Sequence, residues 1–417
     1  MSALAAFALL LSMIPAQAGT PHDVLVSEEA DPDTAQLVAT TAFPRPRVLA
    51  LARSNGVVYL GGLFDRVKDN ARTYPRNRIA AVDEDTGQVL PAFQLDLNNQ
   101  VDALAAGDGS VYLGGNFTRA DGITRRNLVK VNAATGAVDM DFNARLPGRV
   151  QDLELVGDRL FVAGAFGDNL VALDPDTGAK TNYIDLPIDG EVQTAWGKTA
   201  VYNFAVDPSG THLVAVGNFT TVDNQVRHRA FMLDLGGTEA TLAPWYYDAF
   251  TKNCETSSNR RMAYLQGVDF DPTGEYFVFA ATGYISSPGD IGVTVCDAAA
   301  RFNMDDDDPD EPVWINYTGG DSLFSVVATG AAVYAQGHSR WFNNPEGDDS
   351  AGPGAVRRPG IGALDPENGV ALDWDPAKPA QVGGQAFLAT ETGLWIGSDS
   401  KGYGGSPHRG LAYAPLQ

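Results

Sequence analysis

The residues best suited to chemistry gather late in the chain. Gly337-His338-Ser339-Arg340-Trp341-Phe342 places an imidazole, a guanidinium and an indole within one short run. Asp399, Lys401, Tyr403, His408 and Arg409 form a second cluster. Aromatic faces that cover a pyranose ring, flanked by hydrogen-bonding groups for its hydroxyls, are a common way to hold a sugar. The candidate binding residues are therefore His338, Arg340, Trp341, Tyr403, His408 and Arg409. The competing reading is that these side chains only order two loops, because a pocket needs convergence in space.

No catalytic residue is assigned. The chain has no G-x-S-x-G elbow, H-E-x-x-H, P-loop or C-x-x-C. His22, His212, His228, His338 and His408 are mostly far apart, so a metal site would require the fold to bring three of them together. No metal ligands are assigned and no cofactor is expected. The one exception to consider is calcium on the acidic run Asp305-Asp306-Asp307-Asp308-Pro309-Asp310-Glu311. That run lacks the glycine and spacing of an EF-hand loop and reads first as a solvated turn.

Arg76, Arg125, Arg227 and Arg358 recur at matching places, and Asp65, Asp121 and Asp223 lie in the same loops. Such arginines suit an anionic glycan. Their recurrence argues instead for structural pins paired with those aspartates, since repeated side chains usually serve the stacking of repeats.

The elements that must position these groups are repeats. Val57-Val58-Tyr59-Leu60-Gly61-Gly62-Leu63-Phe64 returns as Ser110 to Phe117, Arg159 to Phe166 and His212 to Phe219. The closing Phe falls at 64, 117, 166 and 219, in steps of 53, 49 and 53 residues. Looser copies lie at Glu275–Gly283, Ala332–Gly337 and Gly393–Gly397. Apolar runs and Gly-marked turns such as Asp83-Glu84-Asp85-Thr86-Gly87 flank most copies, giving four short strands per unit. That period is the period of a propeller blade. The predicted fold is all-β: a seven-bladed β-propeller of four-stranded antiparallel blades, closed by an N-terminal strand near Leu37 to Thr41. A closing strand is needed because an open edge invites aggregation. The blades occupy 45–417 and the N-terminal segment 19–44, within one domain of 19–417. The strand 2–3 loops share one face and hold the longest insertions, at Asp65–Arg76, Tyr284–Val295 and Ser339–Arg358. That face is the expected binding surface.

The string Gly114-Gly115-Asn116-Phe117-Thr118, Asp121-Gly122, Arg125-Arg126-Asn127-Leu128, Asn132, Thr135-Gly136, Asp141-Phe142-Asn143 resembles the delta-60 repeat family of bacterial β-propellers. The resemblance implies an exported bacterial propeller, and no particular activity. The Asp-x-x-Thr-Gly turn is also similar to one in quinoprotein dehydrogenase propellers. Pro91, Met140 and Asn182 stand where their docking Trp would be, and Trp374 follows Gly369 one residue too late.

Met1–Ala18 has an apolar run from Leu4 to Ile14 and then Ala16-Gln17-Ala18, a signal peptide with an A-x-A cleavage site but no basic n-region. The expected location is therefore secreted, extracellular or envelope-associated. Cys254 and Cys296, 42 residues apart, then read as one disulfide. A formal net charge of -23 disfavours nucleic acid, and no segment of membrane-spanning length follows the leader. The expectation is a monomeric binding module for an extracellular glycan or protein partner. The alternative is an extracellular carbohydrate-active hydrolase or lyase at the axial mouth, with carboxylates facing each other or facing His338 or His408.

Overall fold

The computed structural model describes residues 19–107, 109–192, 195, 197–254, 263–283, 291–379 and 383–417. The predicted leader and the loop segment 284–290 lie outside them. The fold is β-propeller-like and all-β; the one helical turn among the described residues is a 3-10 turn at Asp248–Thr251.

Alternating apolar residues dictate the long strands, which pair antiparallel in chain order. Sheet one joins Arg47–Ser54, Val57–Leu63 and Ile79–Asp83. Sheet two joins Val101–Gly107, Ser110–Gly115 and Leu128–Asn132, and sheet three joins Arg149–Val156, Arg159–Ala165 and Leu170–Leu173. Sheet four contains Ala200–Val206, His212–Asn218, Ala230–Asp234 and Thr241–Leu242. Sheet five contains Leu265–Phe270, Tyr276–Ala281, Ala298–Asn303 and Trp314–Tyr317. Sheet six joins Leu323–Ala328, Val333–Gly337 and Ile361–Leu364, and sheet seven joins Gly384–Thr390, Gly393–Ser398 and Leu411–Pro415. The first strand of each sheet packs beside that of the next, and that of sheet seven packs beside that of sheet one.

The expected fourth strand is formed in full only in sheets four and five. In sheets one, two, three and six it shrinks to single bridges: Val82–Val89, Val131–Val138, Leu173–Lys180 and Leu364–Ala371. The recurrent arginines fasten the chain that follows each third strand: Arg76 Nη2 donates to the carbonyls of Leu90 and Pro91, and Arg125 Nη2 to those of Asp139 and Met140.

Aromatic residues then tie sheet to sheet. Tyr59 packs edge-on against Phe93 at 5.4 Å and Tyr112 against Phe142 at 5.6 Å. The two hydroxyls donate to Ala133 O and Pro175 O in the turns of the following sheets, both at 2.8 Å. Trp314 Nε1 does the same toward Pro366 O. Trp245, fully buried, centres a cluster of Phe250, Phe277, Phe279 and Phe302. The adjacent Cys254 and Cys296 are disulfide-bonded with Cα atoms 5.8 Å apart.

The N-terminal segment pairs at a different place from the one expected. Val26 bridges Leu416, Ser27 N donates to Pro415 O, and Asp31 N donates to Tyr413 O. The edge of the last strand is thus covered mainly by residues around Leu25 to Asp31; of the expected Leu37 to Thr41, Leu37 reaches it, its N–H donating to Arg409 O just ahead of that strand. Val26 fits because its side chain is buried beside Tyr334, Trp374 and Leu394, while Tyr334 Oη accepts from its N–H and Trp374 Nε1 donates to its carbonyl. Gln36–Leu37 instead pairs with Arg66–Lys68, in the hairpin inserted between strands two and three of sheet one. Similar hairpins, Arg119–Ala120 with Ile123–Thr124 and Trp341–Phe342 with Val356–Arg357, occupy the matching insertions of sheets two and six.

Candidate functional site

One backbone irregularity recurs in every first strand. The register against the second strand slips by one residue, between Val48/Ala50, Val101/Ala103, Val150/Asp152, Val201/Asn203, Leu265/Gly267, Leu323/Ser325 and Gly384/Ala386. Each slip is a β-bulge, which leaves one residue unpaired and re-aims its side chain. In five of the sheets the facing residue is a glycine (Gly62, Gly115, Gly164, Gly217 and Gly337), and in sheets five and seven it is Ala281 and Ser398. A Cβ on Gly115 would stand 2.3 Å from the Gln100 carbonyl oxygen, closer than any real contact allows. The second glycine of the repeat's pair is thus the imprint of the bulge, while the first, Gly61 or Gly114, makes room for Val101 or Val150 of the next sheet.

The unpaired residues are Leu49, Asp102, Gln151, Tyr202, Gln266, Phe324 and Gln385. All seven line a cavity of about 980 Å³ bounded by the first strands of every sheet. They sit at the loop end of those strands, the end that carries the inserted hairpins. Tyr202 lies 6.4 Å from Tyr264, and Phe324 lies 5.8 Å from the His338 ring. Burial pushes the Tyr202 hydroxyl up to about 12, so it remains a neutral donor at any physiological pH. Asp102 is held by a two-pronged ion pair, Arg149 Nε to Oδ2 and Nη2 to Oδ1, both at 2.8 Å. That hydrogen bonding raises the Arg149 guanidinium above its ordinary range.

Deeper in the cavity, side chains of one first strand accept hydrogen bonds from the backbone of the next. Asp152 accepts from Phe204 N at 2.9 Å, Asn203 Nδ2 at 2.6 Å and Leu153 N at 2.9 Å. Asn203 Oδ1 accepts from Val268 N, and Asp269 accepts from Ala328 N at 2.8 Å. Desolvation outweighs these bonds, pushing Asp152 up to about 7 and Asp269 up to about 8. Both acids keep part of their proton around neutrality, Asp269 more than Asp152, so the cavity wall is less charged than its composition suggests.

The candidate residues read from the sequence fall into two separate groups. His338, Arg340 and Trp341 lie together beside the cavity mouth. His338 Nε2 accepts from Ser322 N at 3.3 Å. Arg340 Nη2 pairs with Asp321 at 2.8 Å and with Asp349, and its guanidinium lies 4.5 Å from the Trp341 ring centre. Arg340 therefore orders its loop from the inside. Tyr403, His408 and Arg409 lie at the outer edge of sheet seven against the N-terminal segment. Tyr403 is buried, its hydroxyl donates to Ser27 O at 2.9 Å, and burial raises that hydroxyl well above its usual range. His408 is buried and held below the ordinary imidazole range by desolvation. Arg409 offers its carbonyl to Leu37 N. None of the six, His338, Arg340 and Trp341 included, lines the cavity.

The recurrent arginines are pins, with partners other than the expected aspartates. In each case Nη1 donates to the preceding carbonyl: Pro75, Thr124, Val226 and Arg357. Nη2 reaches a carbonyl 14 residues on at Leu90, Asp139 and Leu372, and 16 residues on at Ala243. Asp65 is engaged by Thr40 Oγ1, and Asp121 accepts from Asp96 N. The acidic run at Asp305–Asp308 is exposed, and among the described residues no three His, Cys, Asp or Glu side chains gather as a metal would require. Among the described residues no helix is long and apolar enough to cross a membrane. The cavity-lining Gln151, Tyr202, Gln266, Phe324 and Gln385 were not singled out in the sequence; the glycine that faces the bulges of Gln151, Tyr202 and Phe324 was the available signal, and Ala281 and Ser398 stand there for Gln266 and Gln385.

No protein-family model matches the chain, and no curated protein matches it. Solved structures do. The computationally designed protein Ika8 is 13% identical, with a TM-score of 0.48 over 91% of this chain and 99% of its own. The Swd1 beta-propeller domain of Myceliophteria thermophila is 9% identical, with a TM-score of 0.39 over 69% of this chain and 79% of its own. The designed protein Ika4 is 19% identical, with a TM-score of 0.29 over 44% of this chain and 91% of its own.

Proposed function

We propose that this chain is an exported, seven-bladed β-propeller that binds a hydroxyl-rich, uncharged ligand, a glycan, at the loop-side mouth of its axial channel. The sheets would be its blades, with the Leu25–Asp31 segment covering the last of them. The observation that carries the binding reading is the set of bulge residues. Three glutamines (Gln151, Gln266, Gln385), a neutral Tyr202 and the Phe324 face are presented to one cavity on an identical backbone device. Primary amides donate and accept at once, as sugar hydroxyls do, and the aromatic faces cover the C–H face of a pyranose. The carboxylates nearest by are already engaged: Asp102 by Arg149, and Asp152 by three donors. That engagement favours binding over hydrolysis. Export is supported by the Met1–Ala18 pattern and by the disulfide, a bond kept in oxidising compartments.

The test is a glycan array probed with the secreted protein, beside the Tyr202→Ala and Phe324→Ala variants. The expected result is retention on neutral glycans that both variants lose while keeping the wild-type melting temperature. Retention unaffected by both substitutions would move the site away from the mouth.

A further inference from the structure

At the far end of the cavity from the bulges, Gly19, Thr20 and Pro21 line its wall. The segment is threaded between sheets six and seven. Thr20 Oγ1 donates to Ala389 O, His22 N donates to Thr329 O at 2.7 Å, and His22 Nε2 lies 2.8 Å from Thr390 O. Gly19 sits tightly there: a Cβ on it would stand 2.3 Å from the Ala328 carbonyl oxygen and 3.6 Å from Asp269 Oδ2. Only glycine fits. Asp269 accepts from Ala328 N, and among the described residues no cation is paired with it. Asp269 is half-buried in the channel wall, where a carboxylate without a counter-ion is costly and a cation placed beside it removes that cost.

The residue before Gly19 is the last alanine of Ala16-Gln17-Ala18. We propose that Asp269 is the receptor for the chain's own processed amino terminus: cleavage after Ala18 creates a Gly19 ammonium that pairs with the Asp269 carboxylate inside the channel. This rests on the export reading given above. Hydrolysis of the Ala18–Gly19 peptide bond consumes one water, leaves the carboxylate on the released leader and leaves the ammonium on Gly19. The ammonium has three donors, and Gly19 lies beside both Asp269 Oδ2 and Ala328 O, which can accept them. The uncut chain has only an amide at this place, so Asp269 would hold its proton. Processing would then lock the first residues into the channel wall and leave the loop-side mouth as the open end.

The experiment uses the chain secreted with its leader. Intact mass gives the first residue, and acylation with an N-hydroxysuccinimide ester of acetate reports access to its amine, with exposed Lys401 as the internal reference. The expected result is a chain beginning at Gly19 whose α-amine reacts about tenfold more slowly than in Asp269→Asn, with Lys401 unchanged. Equal α-amine rates in the two proteins would overturn the ion pair while leaving export standing. A mature chain beginning elsewhere would overturn the cut site and this inference together. If Asp269→Asn is not secreted, the wild-type α-amine is compared with that of a free peptide of residues 19–24. A comparable rate there would again overturn the ion pair.

Discussion

The outer loops and the inner mouth of this molecule treat repetition in opposite ways. At the outer position Arg76, Arg125, Arg227 and Arg358 repeat both the residue and its partners, two carbonyls ahead of and behind each strand three. At the inner position the backbone repeats but the side chain does not: Leu49, Asp102, Gln151, Tyr202, Gln266, Phe324 and Gln385 share one bulge geometry. A position whose side chain is fixed by its neighbours serves the frame. A position whose backbone is fixed and whose side chain is free is where a ligand can be accommodated.

Substitutions can break that distinction or sharpen it. The largest effect is expected where the bulge itself is attacked. Gly115→Ala drives a Cβ toward the Gln100 carbonyl and is expected to cost about 3 kcal/mol in chemical denaturation. Gly56→Ala, at φ 72° with nothing near its Cβ, is expected to cost only about 1 kcal/mol. Equal losses would mean that backbone conformation, and not the bulge contact, governs the glycines.

Next come the arginine pins. Arg227→Ala strands the carbonyls of Val226, Ala243 and Pro244 and removes the cover from Tyr246, so about 2 kcal/mol of stability should be lost. Arg227→Lys should recover less than half of it, because one ammonium cannot reach both directions as the fork does. Full recovery by lysine would reduce the pin to a charge effect.

A smaller effect tests the inner wall by pH. Asp152 is raised to about 7 in the folded chain, whereas an unfolded aspartate titrates near about 3.9. Between those values the folded state holds a proton that the unfolded state has released. Stability therefore falls as pH rises through this window and levels off above it. The fall should be on the order of 1 kcal/mol, because Asp152 is only half-buried and lines an open cavity. It should be absent in Asp152→Asn, whatever that variant's absolute stability. Asp269 extends the same fall toward pH 8 in a chain that keeps its leader. The same slope in wild type and Asp152→Asn would show that Asp152 is ionised throughout.

Much of the frame is legible in the sequence because its signals are local. Val-Tyr-Leu-Gly-Gly followed by Phe marks the second strand, and Asp83 to Gly87 marks a turn in which the Asp83 carboxylate accepts from Thr86 N. The arginine pins were visible as a recurrence, but their partners were not. The aspartates four to eleven residues upstream are near in sequence, whereas the true acceptors come back only after strand three has formed. The bulges were hidden for a related reason. An extra residue in an apolar alternation reads as a fault in the pattern, and its meaning appears only when the neighbouring strand is laid beside it. Tyr403 and His408 looked like site residues because they break the repeat. They break it to grip the N-terminal segment, whose pairing near Val26 depends on Trp374 and Tyr334, far along the chain.

The most direct test of the account is calorimetric titration of a neutral oligosaccharide retained on the array into wild type, Phe324→Ala and Arg358→Ala. Phe324 belongs to the mouth and Arg358 to the frame. Affinity about tenfold weaker is expected for Phe324→Ala. For Arg358→Ala unchanged affinity is expected, with a lower melting temperature. Unchanged affinity in Phe324→Ala, with loss in Arg358→Ala, would place the ligand on the outer loops and contradict a site at the mouth.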